Sequence, residues 1–187
     1  MRNGVSNEVN VETVKAETIP TDTPKSIAPP LIQSTLRVIY LLAGKRRKND
    51  IGSKLKYYTN LRNMRLELRE VDLLIHGRQD DILDEKVWNT IITDIEAGQH
   101  DIIVASPPCN GFSRSKWANR QEPLPNHSRQ YRRGYPWLTG KSKETVDKEN
   151  TLVGRTMEAI RAGSKSPAKS RWLLQHPEDL GNTYGGG

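Results

Sequence analysis

The chain has 187 residues, which suits one ordinary domain, and its hydrophobic content of 34% predicts that part of it is solvated loop. A single cysteine excludes a disulfide framework within the chain and favours a reducing compartment. No apolar run approaches the roughly 20 residues of a membrane helix, and no secretory signal opens the chain. We therefore expect no membrane partner and an intracellular location, in the nucleus of a eukaryote or otherwise in the cytoplasm.

The N-terminal segment, residues 1–34, is rich in Thr, Pro, Glu, Asn and Ser without an apolar period, so we expect it to be disordered. The domain itself is assigned to residues 35–187. Its first strand, residues 36–43, is nearly continuously apolar, as a central parallel strand buried on both faces would be. The strand ends at Gly44, before a basic run at residues 45–50. A strand, a glycine and a loop leading to a helix is the usual beginning of a nucleotide-type cofactor site.

A helix is predicted next, over residues 51–64, followed by a second strand over residues 65–74 that ends near Asp72. The apolar side chains expected on one side of the helix are Leu55, Tyr58 and Leu61. A carboxylate at this strand end, after the glycine turn, is placed where a ribose diol is often bound. A strand-end aspartate that caps a turn is an equal alternative for Asp72.

Acidic residues at 80–84 open the fourth predicted element, a helix whose acidic first turn suits the helix dipole. Its apolar positions, four residues apart, are Leu83, Val87, Ile91 and Ile95, and Gly98 is the predicted stop. A short buried strand at residues 101–105 follows and stops at Pro107 and Pro108, which fix φ and remove two backbone donors.

Cys109, the only cysteine, comes directly after these two prolines. In open α/β sheets, ligands and chemistry collect just past the carboxyl ends of the strands, so a thiol held there is a candidate nucleophile. A small buried hydrophobe is the alternative, since most lone cysteines have that role. The order of strand, Pro-Pro, Cys and Gly-Phe-Ser-Arg favours the nucleophile.

A long basic loop is predicted over residues 112–141. Its cations are interleaved with Trp117, Tyr131, Tyr135 and Trp137. The candidate nucleic-acid contacts in it are Arg114, Lys116, Arg129, Arg132 and Arg133. Residues 106–171 hold 14 Lys and Arg against 5 Asp and Glu, an excess larger than the whole net charge of +7. Such a segment is typical of a phosphate-contacting surface with splayed bases, and a solvated basic loop is the alternative.

A last helix is predicted over residues 145–162, ended by Gly163, and a last strand over residues 171–175. The side chains of this helix that are expected to face inward are Val146, Val153, Met157 and Ile160. The alternation of strands and helices predicts an α/β fold with a mostly parallel sheet. The four histidines are scattered and the cysteine is single, so no metal site is predicted.

The segment Ser-Pro-Pro-Cys-Asn-Gly-Phe-Ser-Arg at residues 106–114 resembles the catalytic motif of the DNA (cytosine-5-)-methyltransferases. Leu42-Ala43-Gly44 looks like the Phe-Ala-Gly of their cofactor motif, and Gln175-His176-Pro177 lies where they have Glu-Asn-Val or Glu-Asn-Pro. The resemblance implies a Rossmann-like fold that binds S-adenosylmethionine. The cofactor contacts that it implies are Ala43, Gly44, Asp72, Asp81 and Pro107.

The activity implied by this resemblance is methylation of DNA at carbon 5 of cytosine. A thiolate at Cys109 would add to the neighbouring ring carbon and turn the ring into an enamine that attacks an electrophilic methyl group. The base must leave the helix stack to reach the thiol. Gln175 stands at the family's glutamate position. Glu178, three residues later, is the candidate substitute for that glutamate, but it would lie in a different place.

The resemblance ends near Gly181, without a target-recognition region, and so implies a fold that is incomplete at the C-terminus. A catalytically inactive nucleic-acid-binding module on the same fold is the second hypothesis, motivated by Gln175 and the basic segment. An α/β domain of unrelated function is the third.

Overall fold

The computed structural model describes residues 34–109, 126–128 and 130–175. Four predictions lie outside these residues: the disordered segment before Ser34, the basic-loop residues up to 125, Arg129, and Glu178. None of the described helices is both long enough and apolar enough to cross a membrane.

Four parallel strands form one sheet in the order β2-β1-β3-β4. The elements are β1 (Thr35–Leu41), α1 (Ile51–Leu61), β2 (Arg65–Val71), α2 (Leu73–His76), a 3-10 turn (Gly77–Asp80), α3 (Glu85–Glu96), β3 (Ile102–Ala105), α4 (Gly140–Lys165) and β4 (Arg171–Leu174). This architecture confirms the predicted α/β class with a parallel sheet.

The winding direction of the sheet reverses at β1. The chain passes from β1 to β2 on one side and then returns across the sheet to β3 on the other side. β1 pairs with β2 from Thr35↔Arg65 to Leu41↔Val71, and with β3 from Val38↔Ile102 to Leu41↔Ala105. In open α/β sheets the crevice at such a reversal, outside the carboxyl ends of the strands, is the usual ligand site.

Helices cover both faces of β1, so the prediction of a strand buried on both faces is confirmed. Val38 and Tyr40 pack in one apolar cluster with residues of α1, including Leu55. Ile39 and Leu41 pack in the other cluster, with residues of α3 and α4. Alternate residues of a strand point to opposite faces, which explains why nearly every position of β1 is apolar.

The predicted inward face of α1 is partly wrong. Leu55 packs against the sheet, but Tyr58 and Leu61 are 52% and 65% exposed. Gly52 faces β2 instead, where a Cβ atom would lie 2.8 Å from Oε1 of Glu70. A glycine thus allows close helix–strand packing at a position that the sequence pattern did not single out.

β2 ends at Val71, which confirms the predicted strand end near Asp72. The last residues of the apolar pattern, Leu73 and Leu74, are exposed and begin the short helix α2. In α3, Ile91 and Ile95 are fully buried as predicted. Gly98 adopts φ +75° just past the end of α3, which confirms the predicted stop.

α4 is longer than predicted at both ends. It begins at Gly140. The sequence did not predict this start because the hydrophilic first turns carry too few apolar residues to indicate a helix. Gly163 lies inside it rather than ending it. A Cβ atom at Gly163 would lie 2.3 Å from Cδ1 of Ile103, so the glycine brings α4 close to β3.

A buried cation joins α4 to the start of α3. The guanidinium of Arg155 donates to the carbonyl of Ile82 and pairs with Glu85, and it lies 5.5 Å from the centre of the Trp88 ring. The indole of Trp88 donates in turn to Glu158 at 3.1 Å. Arg155 therefore has a structural role and does not belong to the basic surface counted from the sequence.

The amino-terminal edge of the sheet contains a bidentate ion pair beside a buried histidine. Arg37 donates to both carboxylate oxygens of Asp101, at 2.6 Å and 3.2 Å from its side chain. The side-chain hydrogen bond from Arg37 lowers the pKa of Asp101. Burial first, and then the nearby guanidinium of Arg69, lowers the pKa of His100 below its ordinary value of 6.5.

The buried histidine makes stability dependent on pH. Since the folded protein binds the His100 proton less readily than the unfolded chain, the unfolded state takes up more protons below pH 6.5. We expect the free energy of unfolding to fall between pH 7.5 and 5.5, and His100→Gln to reduce this slope in denaturant titrations. The lowered pKa of Asp101 affects the free energy of unfolding only as the pH falls towards and below its ordinary pKa of 3.8. An unchanged slope in the variant would contradict the assignment.

Two glycines of α4 give a matched test of helix–sheet packing. Gly154→Ala meets no atom within 4 Å and should stabilise the fold by about 0.5–1 kcal/mol, since alanine is the better helix former. Gly163→Ala should instead destabilise it by about 1–3 kcal/mol, because the new methyl group overlaps Ile103. Thermal and urea unfolding measure both, and equal effects would mean that α4 does not approach β3 this closely.

Candidate active site

Backbone hydrogen bonds place the ends of the four strands side by side. The amide of Leu42 donates to the Val71 carbonyl at 2.8 Å, just past β1 and β2. The amide of Ser106 donates to the Leu41 carbonyl at 3.1 Å, and that of Gln175 to the Ala105 carbonyl at 2.9 Å. The segments that follow the strands therefore begin next to one another at one edge of the sheet.

Asp72 links the end of β2 to the glycine turn after β1. Asp72 is almost fully buried, at 7% exposure. One oxygen accepts from the Gly44 amide at 2.8 Å and the other from the Leu74 amide at 2.7 Å, where Asp72 caps α2. The capping alternative for Asp72 is thus confirmed. Each carboxylate oxygen can still accept a further hydrogen bond, so a ribose contact stays a prediction.

The turn after β1 is open on its outer side. Leu42 and Gly44 both adopt positive φ, at 58° and 73°, and a Cβ atom at Gly44 would meet no atom within 4 Å. Ala43 is half-buried and packs towards α1. Glycine here leaves the backbone accessible to a ligand.

The basic run after this turn is anchored by a carboxylate that the sequence analysis missed. Arg46 pairs with Glu70, whose side chain is 6% exposed, and Asp50 caps α1 by accepting from the Ser53 amide at 2.7 Å. Glu70 interrupts the alternating pattern of β2 two residues before Asp72, and this interruption was the available signal in the sequence. Its pairing with Arg46 holds the loop over α1 and β2.

The cysteine turn leaves β3 beside β1. Pro107 is buried, Pro108 is half-buried, and Cys109 is exposed. The alternative of a buried hydrophobic cysteine is therefore wrong. The Ser106 amide is hydrogen-bonded to Leu41, so this segment starts beside the end of β1, where the winding direction reverses. Cys109 follows the last residue of β3 by four positions.

A chain of side-chain hydrogen bonds joins Tyr40, through Ser106 at the start of this turn, to Gln175. The Ser106 hydroxyl donates to Oε1 of Gln175 at 3.0 Å and lies 3.1 Å from the buried hydroxyl of Tyr40. Since Ser106 has one hydroxyl proton and gives it to Gln175, Tyr40 donates to Ser106. The structure thus places Gln175 beside Ser106, at the start of the segment that leads to Cys109.

Other predicted residues are outside the segments that directly follow the strands. Asp81 follows the 3-10 turn, where its carboxylate accepts from the Leu83 amide at 3.0 Å. Arg132 and Arg133 are exposed on the segment before α4. The remaining nucleic-acid candidates, Arg114, Lys116 and Arg129, lie outside the described residues, as does Glu178.

Within residues 34–109, 126–128 and 130–175, no three His, Cys, Asp or Glu side chains are grouped so that they could hold a metal ion. Comparisons with protein-family models, with curated proteins and with solved structures found no match to this chain.

Substitution of two helix-capping aspartates separates the stability contributed by the hydrogen bond to Gly44 from that of helix capping. Asp84→Ala removes only the cap of α3 and should cost about 1 kcal/mol of unfolding free energy. Asp72→Ala also leaves the Gly44 amide without its acceptor and should cost about 2–3 kcal/mol. Urea titrations measure the difference, and equal losses would show that the Gly44 bond does not hold the turn.

Proposed function

We propose that this chain is an S-adenosylmethionine-dependent methyltransferase domain that modifies carbon 5 of cytosine in DNA. The observation that carries the proposal is the exposed Cys109, on a two-proline turn at the reversal of the sheet. The neighbouring strand β1 leads into the open turn at Gly44, whose amide donates to the buried Asp72. A nucleophile beside a nucleotide-type crevice is the arrangement that this chemistry needs.

The residues at the crevice fit a nucleoside cofactor. Gly44 leaves space for a ligand above the backbone, and Asp72 keeps acceptor capacity for sugar hydroxyls. Ala43 and Pro107 would line the same crevice from the ends of β1 and β3, while Asp81 would need to reach it from the turn before α3. S-adenosylmethionine, when bound, supplies an electrophilic methyl group.

Cys109 provides the nucleophile in this proposal. Its Sγ, as the thiolate, forms a bond to carbon 6 of the cytosine ring, and the electrons of the 5,6 double bond make carbon 5 nucleophilic. Carbon 5 would take the methyl group with S-adenosylhomocysteine as the leaving group. Loss of the carbon-5 proton to solvent then returns the electron pair of that C–H bond to the 5,6 bond. That step expels the Cys109 thiolate and leaves the protein unchanged.

Gln175 determines how well the ring is activated. Its Oε1 accepts from Ser106, so its amide NH₂ group is the part left for a base. An amide can donate a hydrogen bond to the ring, but it does not transfer a proton as a carboxylic acid does. We therefore expect addition of Cys109 to be slow compared with a site that has a glutamate there.

The amide of Gln175, in place of a proton donor, also supports a second candidate, a nucleic-acid-binding module without catalysis. Such a module needs the basic segment but neither Cys109 nor a proton donor at Gln175. It predicts salt-sensitive DNA binding that is indifferent to S-adenosylmethionine and to substitution of Cys109.

A mechanism-based trap tests the nucleophile. Incubation with a duplex carrying 5-fluorocytosine and S-adenosylmethionine should give a covalent protein–DNA adduct, because fluorine cannot leave as the proton does. Denaturing gels and mass spectrometry should locate the bond at Cys109, and Cys109→Ser should form none. An adduct that persists in Cys109→Ser removes this residue from its role, and a wild-type chain that binds DNA without forming any adduct favours the module.

Gln175→Glu tests the position of the proton donor. Glutamate keeps an acceptor for the Ser106 hydroxyl and adds a carboxyl group, so we expect methyl transfer to rise about 100-fold or more, since a general acid contributes about 10²- to 10⁴-fold. Gln175→Ala, which removes both functions, is the matched control. Equal rates for all three chains would show that residue 175 does not face the base.

A further inference from the structure

Three aromatic side chains cluster on the segment before α4. Tyr135 and Trp137 stack, with ring centres 4.8 Å apart and planes 13° apart. Tyr131 packs edge-on against Trp137 with ring centres 5.5 Å apart, and lies 5.6 Å from Tyr135. Trp137 is nevertheless 65% exposed. One face of the indole rests on Tyr135, so its exposed surface is available to a further planar group.

This cluster is held in place by the helix that follows it. Gly134 adopts φ +101° and packs on α4, where a Cβ atom would lie 2.6 Å from Cγ1 of Val146. Asn150 of α4 donates to the Arg133 carbonyl at 2.9 Å. The amide of Tyr135 donates to the Asn126 carbonyl at 3.0 Å. These anchors give the aromatic rings a fixed position at low entropic cost to a ligand.

The surroundings of the cluster are cationic. Residues 126–143 contain five Lys and Arg and no Asp or Glu, and one of the five, Lys143, pairs with Asp147. Arg132 and Arg133 are exposed and form no ion pair with any described residue. α4 begins with no acidic residue in its first turn and no side-chain cap from Thr139, so its dipole adds to the positive potential.

We propose that Trp137, backed by Tyr135 and Tyr131, is a stacking platform for an unpaired base of a DNA strand. Arg132, Arg133 and the first turn of α4 take the neighbouring phosphates. A flat exposed π-surface ringed by cations suits a polyanion with free base faces, whereas paired bases in a duplex offer no face to stack on. The inference deepens the DNA-binding part of the proposed function and needs neither Cys109 nor the methyl donor.

The test is fluorescence anisotropy of a labelled 12-mer oligodeoxythymidine and of a labelled duplex, without methyl donor. Trp137→Ala should weaken binding of the single strand about 10- to 100-fold, as expected for one stacked base, and Trp137→Phe should stay within about threefold of wild type. The matched control is Trp172→Ala, since Trp172 is also an exposed tryptophan but lies on β4. It should bind as wild type does, and circular dichroism checks that each variant is folded.

Arg132→Ala together with Arg133→Ala should lower the slope of log affinity against log salt by about 1.4 for the single strand, at about 0.7 per phosphate contact. Equal binding by Trp137→Ala and wild type, an equal loss in Trp172→Ala, or an equal loss for duplex and single strand would each overturn the platform. The trap experiment is separate. Absence of an adduct with Trp137-dependent binding intact would reject the chemistry at Cys109 and keep the platform.

Discussion

The pairing of β1 with a strand on each side is the constraint on which the rest of this structure depends. Seven register pairs with β2 and four with β3 fix the ends of three strands at one edge. Three residues of the candidate site are then positioned by their distance along the chain from such an end. Gly44 follows β1, Asp72 follows β2, and Cys109 follows β3 after two prolines that prevent the strand from continuing.

Asp72 shows that structural and functional interpretations of one residue need not compete. Its carboxylate is used by the fold, because it fixes the Gly44 turn and caps α2. The same bonds orient the turn and keep the carboxylate in place beside it. A ligand that entered the crevice would meet a preorganised acceptor, which is how binding sites reduce the entropic cost of association.

The sequence predicted the parts of the fold that follow from local periodicity. The buried strands β1 and β3, the stop of α3 at Gly98 and the parallel α/β class all depend on patterns that a short window contains. The inward face of α1 and the course of α4 through Gly163 could not be predicted in this way. Both depend on a glycine meeting a side chain from a distant strand, Glu70 or Ile103, and no local pattern reveals that contact.

At the candidate site, sequence placed the thiol, the glycine turn and Gln175 at strand ends, and the structure brings these strand ends together. It could not predict the hydrogen-bonded chain from Tyr40 through Ser106 to Gln175, or the Arg46–Glu70 pair, since both need the tertiary pairing of β1 with its neighbours. The buried Arg155 shows the reverse case, in which a charge counted towards a binding surface belongs to the core.

The most direct measurement of the central claim is release of tritium from DNA that carries cytosine labelled at carbon 5. If Cys109 activates the ring, the wild-type chain should release tritium in the presence of S-adenosylmethionine, and Cys109→Ser should release none while binding DNA equally well. Release by Cys109→Ser at the wild-type rate, or no release by a wild-type chain that binds both DNA and cofactor, would contradict the account.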